Sequence, residues 1–207
     1  YYVFSGSSIK KITVPKTITS MSYYAFADCK QLEEVTFEEG SSLTTIGNYT
    51  FMGCTSLTGL TLPASLTTIN KSCFEGCTSL TELALPDTIS TVGEAAFKDC
   101  ASLKSMDFSA TKLGNVINNS IFEGCTSLET VILKSNVVSI YENAFTGCVS
   151  IKELVIEGSI LTLQDGAFDG WTAAQTIIMK GKAAAPTGYA STWNAGCNAN
   201  IVWEAAQ

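Results

Sequence analysis

Residues 77–100 read CTSLTELALPDTISTVGEAAFKDC and contain one complete unit of a sequence repeat. The phenylalanine near the end of this unit recurs along the chain at intervals of 23 or 25 residues. The ladder phenylalanines are Phe26, Phe51, Phe74, Phe97, Phe122, Phe145 and Phe168. Three positions after them stand the ladder cysteines Cys29, Cys54, Cys77, Cys100, Cys125 and Cys148, and then Trp171. A fixed period of this length indicates a stack of repeated structural units.

A short alternating segment within each repeat predicts a β-strand. In the unit quoted above, Leu83 and Leu85 are apolar and are separated by one residue, so both point to the same side. The equivalent positions of the other repeats are also apolar. One such strand cannot fold alone, but strands of successive repeats can pair into a parallel sheet and bury their inward side chains in one continuous core.

A turn position follows each ladder phenylalanine by two residues. Only glycine and aspartate occur there: Asp28, Gly53, Gly76, Asp99, Gly124, Gly147 and Gly170. Glycine adopts the left-handed backbone region freely and aspartate tolerates it, so we predict a left-handed residue at this position in every repeat.

The repeat resembles that of the BspA-like leucine-rich repeat family of bacterial surface proteins, and residues 77–100 match its pattern nearly throughout. The resemblance covers about Ile9 to Met179 and departs from the pattern chiefly at Trp171 and Ala174. It implies an α/β-type, right-handed repeat solenoid with a parallel β-sheet on the concave face and irregular or short helical segments on the convex side. It also implies export and a role in adhesion or recognition, with no catalytic residues to carry over.

Two segments are expected along the chain. Residues 1–180 form the solenoid, with about seven repeats and a partial first one, and residues 181–207 form a C-terminal cap. Ile201 and Trp203 lie 24 residues after Ile177 and Met179, so the tail should add one more strand. A cap is needed because an open solenoid end exposes a sheet edge and an apolar cross-section. Because the chain begins at Tyr1 rather than Met, we read it as a trimmed form.

Composition excludes several classes of function. The 207 residues carry 12 Lys and Arg against 19 Asp and Glu, for a net charge of −7 and no basic cluster. This balance disfavours nucleic acids and anionic membrane surfaces as partners. No apolar run is long enough for membrane insertion. Histidine is absent, which removes the commonest general base and metal ligand. We therefore expect no enzyme activity, no cofactor and no metal.

The eight cysteines admit two interpretations. Disulfides would suit an exported protein. However, six of the cysteines share one register, where stacked side chains run parallel and fit disulfide geometry poorly, so we favour a buried ladder of free thiols. Cys73 and Cys77 have a spacing seen in metal sites, but no second pair accompanies them. Cys197 lies outside the repeat.

The outward strand residues include an apolar stripe of Ile132, Val155 and Ile178. Exposed apolar patches of this kind often mark interfaces. The stripe could contact a partner, or the tail could fold over it through Tyr189 and Trp193, or it could be incidental. All three interpretations remain open at the level of sequence.

The preferred hypothesis is a non-catalytic, extracellular or cell-surface binding module that acts as a monomer. Its partner would be a host or microbial surface macromolecule, expected to be a protein. The expected contact residues combine an apolar centre with a polar rim: Asp107, Thr130, Ile132, Glu153, Val155 and Ile178. The alternative is a structural spacer or stalk that displays another domain and has no ligand of its own. An enzyme is the least favoured class.

Overall fold

The structure is a computed structural model that describes residues 2–157, 160–182, 184 and 193–205. The chain winds into a parallel β-solenoid of about eight turns. One side, the front, carries β1 (Lys11–Val14), β3 (Glu34–Phe37), β7 (Ser105–Asp107), β9 (Thr130–Ile132), β11 (Glu153–Ile156), β13 (Thr176–Lys180) and β14 (Asn200–Glu204). The back carries β2 (Ser20–Met21), β4 (Thr45–Ile46), β5 (Thr68–Ile69), β6 (Thr91–Val92), β8 (Val116–Ile117), β10 (Ser139–Ile140) and β12 (Thr162–Leu163).

The front strands are the ones predicted to form the concave sheet. They pair in parallel as β1–β3, β7–β9 and β11–β13–β14. Ile177 pairs with Ile201 and Met179 with Trp203, so the prediction of one more strand is confirmed with its register. Residues 59–62 and 82–85 follow the same path without strand pairing. Their outward side chains include Gly59 and Ala84, which offer little surface for cross-strand packing.

The return path contains short strands and turns, and the described residues contain no helix. The expectation of short helical segments is therefore corrected. The physical reason lies in the turn around each ladder phenylalanine, which places left-handed residues on both sides of it. The Gly and Asp position is left-handed as predicted, with φ of 71° at Gly76 and 58° at Asp99. A second left-handed position, missed in the sequence, stands two residues before the phenylalanine, where Ala95 has φ of 53°.

The ladder phenylalanines form one column through the core. Phe51, Phe74 and Phe97 stack nearly parallel, with ring centroids 5.4 and 5.8 Å apart, and all three are fully buried. Phe145 and Phe168 continue the column at 5.6 Å. Each coil therefore rests its largest apolar side chain on that of the coil before it.

The ladder cysteines form a second column, and their thiols donate hydrogen bonds. Cys77 Sγ lies 3.2 Å from the carbonyl oxygen of Phe51, and Cys100 Sγ lies 3.1 Å from that of Phe74. Trp171 occupies the same position and donates its Nε1–H to the carbonyl of Phe145 at 2.9 Å. The position thus requires a buried donor, which explains why tryptophan can replace cysteine. All eight cysteines are free, as expected for a thiol ladder.

Replacing a ladder thiol should cost more than replacing the buried thiol beside it. Cys77→Ala removes one of the two donors to the Phe51 carbonyl, which keeps the backbone N–H of Cys54 at 3.1 Å, so the lost hydrogen bond should cost about 0.5–1.5 kcal/mol. Cys73→Ala is the matched control, because alanine already stands at that register in Ala25 and Ala96. Urea unfolding of both variants measures the difference. Equal losses of stability would show that the thiol contributes volume alone.

The C-terminal segment closes the described part of the solenoid. Trp193 is buried, and its ring meets the edge of Phe168 at a centroid distance of 6.3 Å. Cys197, which sequence alone did not place, is half-buried against the same end of the core. These contacts support the assignment of residues 181–207 as a cap, which stays a prediction.

Deleting every residue after Met179 should destabilise or aggregate the protein. The deletion removes Trp193 from Phe168 and uncovers the free edge of β13, and unpaired strand edges invite aggregation. Light scattering and thermal melting of the shortened chain measure the effect. A monomeric product with an unchanged melting temperature would refute the assignment as a cap.

Candidate ligand-binding face

The predicted apolar stripe exists on the front sheet and is one strand longer than expected. Val155 pairs in register with Ile178, and Ile178 pairs with Val202 of β14. Ile132 is 46% exposed and Val202 is 41% exposed, whereas the other two are half-buried. We call these four residues, Ile132, Val155, Ile178 and Val202, the apolar stripe. Val202 was not predicted from the sequence as part of the stripe. Its position between Ile201 and Trp203, which continue the inward register, nevertheless indicates an outward side chain.

The described part of the tail does not cover the apolar stripe. β14 lies beside β13 in the plane of the sheet and extends the stripe through Val202. Trp193 packs on Phe168 at the end of the core, so the interpretation that it folds over the stripe is wrong. Tyr189, the other residue considered for this role, lies outside the described residues.

Polar side chains border the stripe on the same face. Thr130 and Glu153 are exposed, and Glu153 pairs in register with Thr176. Asp107 pairs in register with Ile132, and its Oδ1 accepts a hydrogen bond from the backbone N–H of Ser109 at 2.7 Å. All six residues proposed from the sequence therefore lie on one face, with the apolar residues in the middle row.

The other end of the front face has different chemistry. Lys11 Nζ donates to Glu34 Oε2 at 2.7 Å, and this contact raises the pKa of Lys11. The hydroxyls of Thr13 and Thr36 lie 2.9 Å apart. The middle row thus changes from threonine in the first coils to aliphatic side chains in the last, and the charges of the first coils already pair with each other.

An open groove of about 880 Å³ lies between these two ends, over residues 59–62 and 82–85. Its floor is low because Gly59 and Ala84 stand where other coils carry larger side chains. Glu82 and Asp107 line its sides. No sequence pattern signalled this groove, because it arises where the front strands fail to pair.

These repeats match a known family. A sequence model described as the BspA type leucine-rich repeat region matches residues 1–116 and 111–188 in six copies. The chain belongs to the BspA-type leucine-rich repeat family. This membership confirms the resemblance drawn from residues 77–100. No curated protein sequence is significantly similar to this repeat protein.

Solved leucine-rich repeat proteins share the fold of this BspA-type chain. The T. pallidum leucine-rich repeat protein is 27% identical, with a TM-score of 0.64, over 72% of this chain and 69% of that chain. A Bacteroides ovatus protein is 22% identical, with a TM-score of 0.53, over 96% and 58% of the two chains. A Eubacterium ventriosum protein is 20% identical, with a TM-score of 0.58, over 82% and 60%. The chain therefore spans about three fifths to two thirds of these proteins.

The family and fold fit a module for protein interaction or surface display, and they are typically non-catalytic. In the described residues of this BspA-type chain, no group of three or more Cys, Asp or Glu is arranged to hold a metal ion. The same residues contain no helix long and apolar enough to cross a membrane.

The thiols of this BspA-type solenoid are poor nucleophiles. Burial raises the pKa of Cys54 and Cys125 to about 12 and raises that of Cys77 and Cys100 well above its ordinary value. Because the thiolate is the reactive form, these groups are inert near neutral pH. Cys73 and Cys77, the pair with metal-site spacing, are both fully buried in the core.

The thiol ladder should make stability fall at alkaline pH. Free thiols ionise near pH 8.5 in an unfolded chain, whereas Cys54 and Cys125 ionise near 12 in the fold. The contribution to stability is fully present below the unfolded pKa and is lost as pH rises toward the folded pKa, because only the unfolded chain releases its protons. Thermal melts over this range measure the loss, and the double variant Cys77→Ala/Cys100→Ala should show a shallower fall. Parallel profiles for parent and variant would contradict the assignment to thiols.

Proposed function

We propose that this chain is a cell-surface binding module that mediates adhesion by recognising a protein on a host or microbial surface. The contact lies on the C-terminal half of the front sheet. The observation that carries the proposal is the apolar stripe, in which four aliphatic side chains from adjacent strands face outward with no described part of the chain over them. Monomeric soluble proteins rarely expose contiguous apolar surface without a function.

The packing of the core and the sheet behind the apolar stripe favours binding of a partner. Directly behind it, Leu154, Ile156 and Ile177 are buried in the core, and β11, β13 and β14 pair along their full lengths. Side chains held on such a sheet have little freedom to lose when a partner docks. The affinity then comes mainly from desolvating the aliphatic centre.

The border of the stripe supplies specificity. Glu153 and Thr130 lie on one side of it, and Lys134 and Lys180 lie on the other. An apolar centre with a mixed polar rim is the usual anatomy of a protein interface. The rim carries both signs of charge, so it favours a partner with complementary charges over a simple polycation or polyanion.

Charge placed in the stripe should weaken binding. Because a few buried anchors carry most of the energy of an interface, Ile132→Asp combined with Val155→Asp should weaken binding at least about tenfold. Glu34→Lys at the opposite end of the face is the control and should bind almost as well as the parent. The measurement is surface plasmon resonance against host matrix proteins and bacterial surface proteins that the parent captures.

Two outcomes would count against this proposal. If the double Asp variant folds like the parent and binds as tightly, the contact lies elsewhere. If the parent binds no surface protein at all, the chain acts as a spacer that displays another domain.

A further inference from the structure

The back of the first four coils carries an uninterrupted set of hydroxyl side chains. Residues 17–20, 42–45, 65–68 and 88–91 read TITS, SLTT, SLTT and TIST. In each segment the second residue is aliphatic, and the other three are serine or threonine. All twelve are exposed or half-buried, and we call them the hydroxyl array: Thr17, Thr19, Ser20, Ser42, Thr44, Thr45, Ser65, Thr67, Thr68, Thr88, Ser90 and Thr91.

The back sheet arranges the array in columns. Ser20, Thr45, Thr68 and Thr91 stand directly beside one another in the register of β2, β4, β5 and β6. Neighbouring strands of a sheet lie about 4.8 Å apart, so the hydroxyls repeat at that interval. The hydroxyls of the array are therefore regularly spaced, and the array itself contains no charged side chain.

Hydrogen bonds within the sheet make two neighbouring columns of hydroxyls differ in whether they can accept or donate a hydrogen bond. The hydroxyl of Thr67 donates to the carbonyl of Thr44 at 3.1 Å, and that of Ser90 donates to the carbonyl of Thr67 at 3.3 Å. These hydroxyls have used their protons and turn lone pairs outward. In the next column, the hydroxyl of Thr68 lies 3.3 Å from that of Thr67 and is hydrogen-bonded to it, whereas the hydroxyls of Thr45 and Thr91 form no hydrogen bond with the described residues and can donate. A column of acceptors thus runs beside a column in which Thr45 and Thr91 offer donors.

A stack of tyrosines stands in the first coils, shortly after the array in each of them. Tyr24 and Tyr49 follow the array by four residues in their coils, and their rings stack with centroids 4.5 Å apart. Tyr2 adds a third ring at 4.7 Å from Tyr24 and is 59% exposed. At the border, Lys71 pairs with Glu94 at 3.0 Å, and Lys16 and Asp87, which directly precede Thr17 and Thr88, are exposed.

The array is dense only in the first half of the solenoid. In the later coils three of the nine equivalent sequence positions are hydroxyl residues: Leu113, Asn115, Val116, Asn136, Val138, Ser139, Ser159, Leu161 and Thr162. Leu161 is 61% exposed there. The later coils of the back therefore serve as an internal control, because they follow the same backbone path with different side chains.

We propose that the hydroxyl array and the tyrosine stack together bind a neutral polysaccharide. Each sugar hydroxyl both donates and accepts, so it can satisfy neighbouring acceptor and donor columns at once. The apolar C–H faces of sugar rings fit the methyl groups of threonine and the exposed edges of the stacked tyrosine rings. The array itself contains no charged side chain, and the exposed Lys16 and Asp87 beside it carry opposite charges. This site is independent of the apolar stripe, which lies on the front.

Removing hydroxyls without changing side-chain shape tests the array. The triple variant Thr45→Val, Thr68→Val and Thr91→Val keeps β-branched side chains at its surface positions, so the fold should persist. In co-sedimentation with insoluble cellulose, chitin and amylose, the parent should bind at least one polymer. The triple variant should bind it at least about tenfold more weakly. Ser139→Ala with Thr162→Val changes the same column in the later coils and should bind like the parent.

A substitution of Tyr49 tests the contribution of the tyrosine stack. Tyr49→Ser should also weaken binding, and the backbone tolerates it because Ser72 and Ser120 adopt the same left-handed conformation at this register, with φ of 52° and 53°. Thermal melting verifies that each variant is folded. Binding should be insensitive to salt, since no ion pair contributes to it.

Several results would overturn this inference. They are no binding of the parent to any neutral polysaccharide, undiminished binding by a folded triple variant, or binding only to charged polysaccharides and only at low salt. Inhibition of ice growth in place of glycan binding would assign the regular hydroxyls to frozen water instead. The front variant Ile132→Asp/Val155→Asp should bind glycan normally, so failure of either proposal leaves the other testable.

Discussion

Each coil of this solenoid is joined to the previous one by a buried hydrogen bond from a ladder side chain to the carbonyl of a ladder phenylalanine. The thiols of Cys54, Cys77 and Cys100 make this bond within a column of stacked rings. The rings supply apolar burial, and each phenylalanine carbonyl already accepts the backbone N–H of the residue three positions on, as the Phe51 carbonyl does from Cys54 at 3.1 Å. The ladder thiol is a second donor that comes from the next coil, and each such hydrogen bond adds about 0.5–1.5 kcal/mol while it fixes how one coil stacks on the other.

The same constraint accounts for the sharp turn at each coil. The chain must reverse direction within a few residues to bring ring and thiol inward together, and it does so through left-handed residues before and after the phenylalanine. Glycine or aspartate fills the second of these positions. The first accepts tyrosine, serine, alanine or asparagine, so strain there is absorbed by the packing of the coil. A helix cannot form in such a path, and the return strands stay at two residues.

A rigid interior leaves the outer surfaces free to vary in chemistry. The front changes from paired charges and threonines near Lys11 and Glu34 to the aliphatic stripe near Ile178. The back also changes along the chain, from the hydroxyl array to exposed residues such as Leu161. The two halves of the solenoid thus present different surfaces on one backbone, as expected of a scaffold whose core is separate from its contacts.

The repeat period, the strand register and the inward side chains followed from the sequence alone. Each coil buries equivalent side chains against its neighbours, so the pattern of one coil predicts that of the next. The left-handed Gly and Asp position and the strand at Ile201 were predictable for that reason. The tertiary structure alone showed why Trp171 can stand among cysteines, since the hydrogen bond of its indole depends on a carbonyl 26 residues away. It also determined that Trp193 covers the end of the core while Val202 extends the stripe, and that residues 59–62 and 82–85 lack strand pairing. These features depend on how neighbouring coils meet, and the period of a single repeat carries no information about that contact.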